Sequence, residues 1–371
     1  MGRIKVGIVG IGKIGLAQLE AVRRLGYAEL VAVAIRDPGK AAAICELYGI
    51  PRFYTDYRDL LADSDVDVIH TCTPNREHYS INRDALLAGK HVLSEKPLTV
   101  DSIQSGELVK LAERTGLGTA VNFVNRHYTA VQHLRGMIEG GELGDIRAVH
   151  GEFLQDWLLR ETDFDWRVRS EIGGPSRALA DIGSHWLDMA VFLTGRKIRE
   201  VCADTAVFLP FRIEPDSSGE GPGRRVPVDT EDYGAALLRF EGGVRGVFTV
   251  SQVSPGKKHG LYIQVDGSLA SARWCQDMPD RLWIGRRDRP NEDFVLRPDL
   301  LNRRGKTVYP FTGKAELWPD AQKNMIDSFY RTILDGVEPL FADFRTGHEN
   351  VQIVEALMES GQRGSWVPVL Q

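Results

Sequence analysis

The stretch that decides the fold is I-K-V-G-I-V-G-I-G-K-I-G, Ile4 to Gly15. An apolar strand pattern leads directly into G-x-G-x-x-G, and a helical pattern follows as far as Gly26. In a dinucleotide-binding unit the first glycine, here Gly10, permits the tight turn, and Gly12 lets the backbone approach a pyrophosphate. Gly15 lets helix and strand pack closely, while the helix start offers N–H groups to the phosphates. The alternative, an ordinary glycine turn, is disfavoured by the strand–loop–helix context.

The end of the second predicted strand bears on the choice of dinucleotide. It reads A-I-R-D, so Ile35 and Arg36 occupy the corner where an acidic residue would accept hydrogen bonds from the ribose 2′-OH of NAD. Arg36 could instead pair with a 2′-phosphate, and Lys13, next to Ile14 inside the loop, would add a second cation. We therefore expect NADP, or use of both NADP and NAD. The alternative is that Arg36 is a solvated surface residue and Asp37 only caps its helix.

Up to about residue 122, short apolar runs alternate with helical patterns. One such helix is predicted between Asp37, a typical N-cap residue, and Gly49, a typical C-cap. Strict alternation of strand and helix implies a parallel sheet covered on both faces. We predict an α/β Rossmann domain with a doubly wound parallel sheet over residues 1–122, which binds the dinucleotide.

After residue 123 the pattern changes to longer strand-like runs such as Y-G-A-A-L-L-R-F, with a predicted hairpin turn at Glu241-Gly242-Gly243. We predict an α+β domain with a large, mostly antiparallel open sheet and helices on one face. This domain, residues 123–371, is expected to bind the substrate and to form the subunit contacts of a homodimer or homotetramer.

Composition limits the possible functions. The chain has 371 residues, enough for two domains, with 43% hydrophobic and 26% charged residues. A net charge of −5 gives no reason to expect nucleic acid or a membrane surface, and the arginine-rich stretch 285–306 is interleaved with acidic residues. The four cysteines form no C-x-x-C pair. With no signal peptide or membrane span predicted at the start or elsewhere, we expect a cytoplasmic protein.

Two further strand ends carry polar motifs, and ligands bind at the carboxyl ends of the strands in an open parallel sheet. The first motif, T-C-T-P-N-R-E-H, follows the fourth predicted strand. We expect four of its residues to line the nicotinamide ribose: Thr73, Pro74, Asn75 and His78. The second, S-E-K-P, places Glu95 and Lys96 after the fifth strand, and the Lys96–Pro97 bond is a candidate for the cis form. Taken alone, a surface Glu-Lys pair before a helix is the alternative.

Together with the glycine loop, these motifs resemble the Gfo/Idh/MocA family, the glucose–fructose oxidoreductase and inositol dehydrogenase group. The resemblance covers nearly the whole chain. It implies that Lys96 lies beside the nicotinamide and the reacting carbon of the substrate, where its ammonium stabilises a developing alkoxide. Glu95 is expected to pair with that ammonium or with the cofactor ribose.

The second half contains D-I-G-S-H, in which Asp181 and His185 are spaced i and i+4 and so lie on one helix face. The family pattern D-x-x-x-H matches these two residues. His185 is suited to accept a hydroxyl proton, and Asp181 to hold a substrate hydroxyl or orient the imidazole. No third ligand is evident, so no metal is expected. The alternative is two satisfied polar residues on a packed helix.

Other segments extend the predicted site. D-F-D-W-R resembles the family segment near the nicotinamide, which suggests Trp166 and Arg167 as cofactor contacts. V-N-R-H-Y suggests Asn125 and Arg126 on the substrate side. Trp157 lies at a predicted strand end, where it is either a platform for a sugar ring or a core residue.

Together with the resemblance, these residues predict an NAD(P)-dependent oxidoreductase. The resemblance implies hydride transfer between nicotinamide and a secondary hydroxyl or ketone of a sugar, cyclitol or related polyol. One alternative is a redox-neutral lyase or hydrolase that uses transient oxidation by bound NAD. The other is a non-catalytic sugar or dinucleotide sensor, against which the intact set of Lys96, Asp181 and His185 argues.

Overall fold

The computed structural model describes residues 3–216, 221, 223–309 and 316–370. The chain divides into two compact units, Met1–His127 with Leu317–Glu349 and Tyr128–Glu316 with Asn350–Gln371. The first unit thus includes a segment from near the end of the chain. The predicted division after residue 122 stays a prediction.

The first unit is built on a parallel sheet whose described strands follow the order β3-β2-β1-β4-β5-β6. The strands are β1 (Ile4–Val9), β2 (Ala28–Ala34), β3 (Arg52–Tyr54), β4 (Val68–Thr71), β5 (His91–Ser94) and β6 (Thr119–Val121). Every residue of β4 is buried, as expected when helices cover both faces of a parallel sheet. The predicted α/β Rossmann fold is confirmed.

Helices alternate with these strands. They are α1 (Lys13–Arg23), α2 (Pro38–Tyr48), α3 (Tyr57–Ala62), α4 (His78–Leu87) and α5 (Ser102–Thr115). The predicted caps of α2 are confirmed, because Asp37 accepts hydrogen bonds from the N–H groups of Gly39 and Lys40, and Gly49 ends the helix with φ 61°.

The second unit is built on a sheet whose described strands follow the order β16-β15-β14-β13-β7-β12-β11-β8-β17. The strands of this unit, including the separate pair β9 and β10, are β7 (Ile146–Leu154), β8 (Ile198–Ala206), β9 (Phe211–Glu214), β10 (Arg224–Pro227), β11 (Tyr233–Phe240), β12 (Arg245–Ser251), β13 (Gly260–Gly267), β14 (Ser271–Cys275), β15 (Arg281–Gly285), β16 (Glu292–Val295) and β17 (Val367–Pro368). Strands β7 and β12 pair in parallel, and the other pairs are antiparallel. The predicted mostly antiparallel sheet is confirmed, and the turn at Glu241–Gly243 joins β11 to β12.

The helices of the second unit are α6 (Thr129–Glu139), α7 (Ser170–Gly173), α8 (Ser184–Thr194) and α9 (Arg303–Val308). Helix α8 lies on the sheet through Trp186, whose ring stacks on Phe248 at 4.8 Å and whose Nε1 donates to the carbonyl of Tyr262 at 3.0 Å. On the sheet, Leu237 and Val247 are paired neighbours and are 51% and 45% exposed.

Two long helices follow. Helix α10 (Trp318–Asp335) belongs to the first unit, where Met325 and Phe329 join Val6 and Ile8 in one apolar core. Helix α11 (Phe344–Arg363) has residues in both units. Within the part of the chain that the structure describes, no helix combines the length and apolar character needed to cross a membrane.

Candidate active site

The glycine loop joins β1 to α1, and the space that a Cβ would meet differs among its three glycines. Gly10 has φ 88°, and a Cβ there would lie 2.9 Å from the carbonyl oxygen of Cys72. A Cβ on Gly15 would lie 2.2 Å from the carbonyl oxygen of Gly10, so the close contact of helix and loop requires glycine. At Gly12, the N-cap of α1, no heavy atom of the described residues lies within 4 Å of an added Cβ. The open space at the helix start fits a pyrophosphate. Exposed Lys13 and half-buried Ile14 begin α1.

Arg36 lies at the end of β2 with its side chain 86% exposed, and its NH2 is 3.7 Å from Glu77 Oε1. Asp37 Oδ1 accepts the N–H groups of Gly39 and Lys40, so this carboxylate is engaged with α2. Neither Ile35 nor Arg36 offers a carboxylate that could accept hydrogen bonds from the ribose 2′-OH of NAD. The pairing of Arg36 with a 2′-phosphate stays a prediction.

Backbone hydrogen bonds continue across the carboxyl edge of the parallel sheet, beyond the strands. Gly10 N donates to Ala34 O at 3.0 Å, Cys72 N to Val9 O at 2.8 Å, Glu95 N to Thr71 O at 2.9 Å, and Asn122 N to Ser94 O at 2.9 Å. The glycine loop, the loop with Thr73, Pro74 and Asn75, and the loop with Glu95 and Lys96 therefore lie in a row at one edge.

His78 ties two of these loops together. It is fully buried, with Nδ1 2.8 Å from the carbonyl oxygen of Pro97 and Nε2 3.0 Å from that of Thr73. The predicted cis bond between Lys96 and Pro97 is confirmed. His78 thus holds the segment that carries Lys96, and its predicted contact with the nicotinamide ribose stays a prediction.

Glu95 is buried and held by side-chain amides. Its Oε1 accepts from Gln18 Nε2 and from Asn122 Nδ2, both at 2.6 Å, and Asn122 also exchanges hydrogen bonds with Gln322. Burial raises the pKa of Glu95, although the Asn122 bond and the Lys96 charge work in the opposite direction. Gln18, Asn122 and Gln322 carry no signal in the sequence, because only their distant contacts distinguish them from other amides.

In the second unit, Asp181 lies in a π-helical turn, Leu179–Gly183, that leads into α8 and His185. Asp181 Oδ1 accepts from Arg167 Nε at 3.3 Å, and Oδ2 accepts from Gln252 Nε2 at 2.8 Å. The His185 ring lies 6.3 Å from that of Phe153, between ring centroids. π-Helical turns are frequent at functional sites, which agrees with the prediction for these residues.

Arg167 joins Trp166 to this cluster. Its guanidinium lies 4.3 Å from the Trp166 ring centroid and donates to Asp165 Oδ1 at 3.0 Å. Burial opposes the charge of Arg167, but the carboxylates of Asp181 and Asp165 outweigh it and raise its pKa. The structure thus brings Arg167 to Asp181, while the predicted contacts of Trp166 and Arg167 with a cofactor stay predictions.

Trp157 follows β7 and is 37% exposed, so the core alternative is wrong. Its Nε1 donates to Gln155 Oε1 at 2.7 Å, and Gln155 Nε2 lies 2.9 Å from His259 Nδ1. The indole N–H is satisfied, which leaves an aromatic surface for a ligand.

Asn125 and Arg126 lie in a short 3₁₀ helix, Val124–His127, at the end of the first unit, and both are buried. Among the described residues the Oδ1 atom of Asn125 has no hydrogen-bond partner. A buried polar atom in that condition requires an explanation, and substrate binding remains the predicted one. No cluster of three or more His, Cys, Asp and Glu residues that could hold a metal occurs within residues 3–216, 221, 223–309 and 316–370.

Comparisons with known proteins cover both units. A family model for the "Oxidoreductase family, NAD-binding Rossmann fold" matches residues 4–123, and one for the "GFO/IDH/MocA C-terminal domain" matches residues 131–273. Levoglucosan dehydrogenase of Pseudarthrobacter phenanthrenivorans is 29% identical over 100% of this chain and 99% of its own. Trans-1,2-dihydrobenzene-1,2-diol dehydrogenase of Oryctolagus cuniculus is 31% identical over 76% of this chain and 77% of its own. A structure of levoglucosan dehydrogenase with NADH and levoglucosan has a TM-score of 0.90, with 26% identity and 100% of each chain covered.

We predict that Gly12→Ala weakens NAD(P)H binding without destabilising the protein. The added methyl group has room, but it occupies the space at the start of α1 that a pyrophosphate would use. Fluorescence titration should show a loss of about tenfold or more in affinity, which corresponds to ~1.4 kcal/mol. Gly26→Ala, where a Cβ also meets nothing within 4 Å, is the control. Equal affinities for the two variants would exclude this phosphate site.

We also predict that Glu95→Gln changes the pH dependence of stability. Because burial raises the folded-state pKa of Glu95 above its ordinary value of 4.5, the folded state loses stability as pH rises through that folded-state pKa. The variant keeps an oxygen acceptor for Gln18 and Asn122 but carries no charge. Its melting temperature relative to wild type should therefore rise as the pH is raised above 4.5, the ordinary pKa of a glutamate. Glu20→Gln, at an exposed position of α1, is the control. A pH-dependent difference for Glu95→Gln no larger than that of the control would contradict the assignment.

Proposed function

The chain belongs to the Gfo/Idh/MocA oxidoreductase family, and we propose that it transfers hydride between the nicotinamide of NAD(P) and a secondary hydroxyl or ketone carbon of a sugar, cyclitol or related polyol. The observation that carries the proposal is the carboxyl edge of the parallel sheet. There the open helix start at Gly12 and the segment with Lys96 lie in one row of loops. The full-length likeness to levoglucosan dehydrogenase supports a carbohydrate substrate.

Lys96 is proposed to act on the reacting oxygen. Its ammonium donates a hydrogen bond and places positive charge where an alkoxide develops, which lowers the barrier to loss of hydride from the adjacent carbon. The bound dinucleotide supplies the hydride acceptor or donor, nicotinamide C4. His78 keeps the Lys96–Pro97 segment in place through its bond to the Pro97 carbonyl.

His185 is proposed to take the hydroxyl proton during oxidation and to return it during reduction. Asp181 is proposed to accept a hydrogen bond from a substrate hydroxyl or from the imidazole. Trp157 is proposed as the platform for the sugar ring, since an aromatic face packs well against the apolar C–H groups of a pyranose. Joint action of Lys96 and His185 on one substrate is part of the proposal, and mutagenesis tests each residue separately.

We propose NADP, or use of both dinucleotides, as the cofactor preference. The exposed guanidinium of Arg36 and the absence of a free acidic side chain at the corner, among residues 34–37 that the structure describes, support this choice. A homodimer or homotetramer is proposed from the exposed apolar pair Leu237 and Val247 on the open sheet. A cytoplasmic location stays a prediction.

Lys96→Met is predicted to retain NAD(P)H binding and to lose turnover by about 10²-fold or more. His185→Asn is predicted to lose a similar factor, because a general base typically contributes 10²–10⁴-fold. Lys110→Met, at an exposed position of α5, is the control. Unchanged kcat in Lys96→Met would remove Lys96 from the mechanism.

A substrate screen tests the reaction and the cofactor together. Absorbance of reduced nicotinamide is followed over monosaccharides, anhydrosugars and inositols, with NAD and NADP separately. Arg36→Ala should raise KM for NADP by about tenfold or more and change KM for NAD little, because a charge-assisted pair with the 2′-phosphate is lost. Arg58→Ala, exposed on α3, is the control. Tightly held cofactor with product formed and no net NAD(P)H would instead indicate redox-neutral chemistry, and ligand binding without turnover a sensor.

A further inference from the structure

A buried chain of hydrogen bonds in the second unit ends on Asp181. Its centre is Arg177, which is fully buried and donates to Asp232 Oδ1 at 2.5 Å, to Thr230 Oγ1 at 3.1 Å and to the Thr230 carbonyl at 3.2 Å. The NH1 group of Arg177 also donates a hydrogen bond to Gln252 Oε1 at 3.1 Å. Gln252 is also fully buried and donates from Nε2 to Asp181 Oδ2 at 2.8 Å.

The direction of these bonds is fixed by chemistry. A guanidinium carries donors and no acceptor, so the oxygen of the Gln252 amide must face Arg177. The amide nitrogen therefore faces Asp181, and that nitrogen can only donate. On the other side of the carboxylate, Arg167 Nε donates to Oδ1 at 3.3 Å and likewise cannot accept. Both oxygens of Asp181 meet donors, which favours the ionised carboxylate.

We propose that Arg177 and Gln252 are positioning residues of the reaction: they keep Asp181 ionised and oriented as a hydrogen-bond acceptor, so that the transferred proton is carried by His185 and not by Asp181. The inference deepens the proposed function and rests on it. Arg177 acts through Gln252, and neither residue is required to touch the substrate.

The surrounding charges support an ionised Asp181. Several charged or titratable side chains belong to the hydrogen-bonded cluster around Asp181 or to the elements that carry it. They are Asp165 and Arg167 before α7, Arg177 and Glu231 at the start of the π-helical turn, His185 in α8, and Arg212 and Asp232, which bond to each other. Asp232 is shared by two guanidinium groups, those of Arg177 and Arg212, so it does not cancel the positive charge of Arg177. Glu231 Oε1 is engaged by the N–H groups of Arg177 and Leu179, so its charge is directed at the helix start.

Gln252→Glu tests the direction of the hydrogen bonds that connect Arg177, Gln252 and Asp181. The new carboxylate keeps its bond to Arg177 but places a second negative charge against Asp181 Oδ2, so one of the two carboxyl groups holds a proton to higher pH. The acid limb of the pH profile of kcat should move up by about one pH unit or more, with KM for NAD(P)H unchanged. Gln132→Glu is matched, because Gln132 is a buried glutamine whose Oε1 accepts from Arg304 instead.

A shifted limb in Gln252→Glu alone supports the proposal. An unshifted limb, or an equal shift in both variants, overturns it. If Gln252→Glu does not fold, Gln252→Met removes the donor without adding charge, and a smaller shift in the same direction is expected.

Arg177→Lys and Arg212→Lys separate positioning from stability. Both arginines are fully buried and both donate to Asp232 Oδ1, but the contact with Gln252 belongs to Arg177. Both variants should lower the melting temperature, and only Arg177→Lys should lower kcat and move the acid limb. Equal pH profiles for the two variants would show that Arg177 has only a structural role.

The carboxyl-carbon NMR signal of Asp181, assigned with Asp181→Asn, provides a test independent of turnover. In the protein without substrate, this signal should titrate at higher pH in Gln252→Glu than in wild type. If wild type oxidises or reduces no polyol, the proposed function fails, while the titration still decides whether the chain of bonds controls Asp181. Identical titrations in wild type and Gln252→Glu would overturn the inference.

Discussion

The cofactor side of the protein depends on one constraint, the alignment of parallel strand ends by backbone hydrogen bonds. Glu95 N bonds to Thr71 O and Cys72 N bonds to Val9 O, so each loop leaves the sheet beside its neighbour. Gly10 can follow β1 at this edge because it adopts φ 88° where a Cβ would meet the Cys72 carbonyl. The positions of the helix start at Gly12 and of Lys96 therefore follow from strand pairing, and side-chain contacts only refine them.

Two carboxylates illustrate how environment assigns different behaviour to the same functional group. Glu95 accepts hydrogen bonds from two neutral amides, and burial raises its pKa. Asp181 has a guanidinium on one oxygen and, on the other, an amide whose direction is dictated by a second guanidinium. Neutral donors hold a carboxyl group in place in either ionisation state, whereas cationic donors select the ionised state. If Asp181 is held ionised as proposed, it is always a hydrogen-bond acceptor, whereas the amides around Glu95 accommodate both of its ionisation states.

Local patterns in the sequence were sufficient for many of the helices and strands, and they also supplied the candidate site residues. The alternation around β4 and β5, the caps of α2 and the G-x-G-x-x-G spacing all act within a few positions along the chain, where propensity and sterics decide. Gln252, Arg177 and Gln18 could not be found in this way, because their roles depend on partners tens of residues away. His78 was predicted to contact the nicotinamide ribose, but only the fold reveals its bonds to two loop carbonyls. The exposure of Trp157 likewise required the folded chain.

The π-helical turn at Leu179–Gly183 has a consequence for how this family member can change over time. Such a turn holds one residue more than an α-helical turn of the same height, and it lies between the Glu231-capped helix start and His185. Loss of a single residue there would restore regular winding and rotate everything upstream by about 100° relative to α8. A deletion between Asp181 and His185 would therefore change the direction in which Asp181 faces, whereas a substitution there keeps the number of residues in the turn.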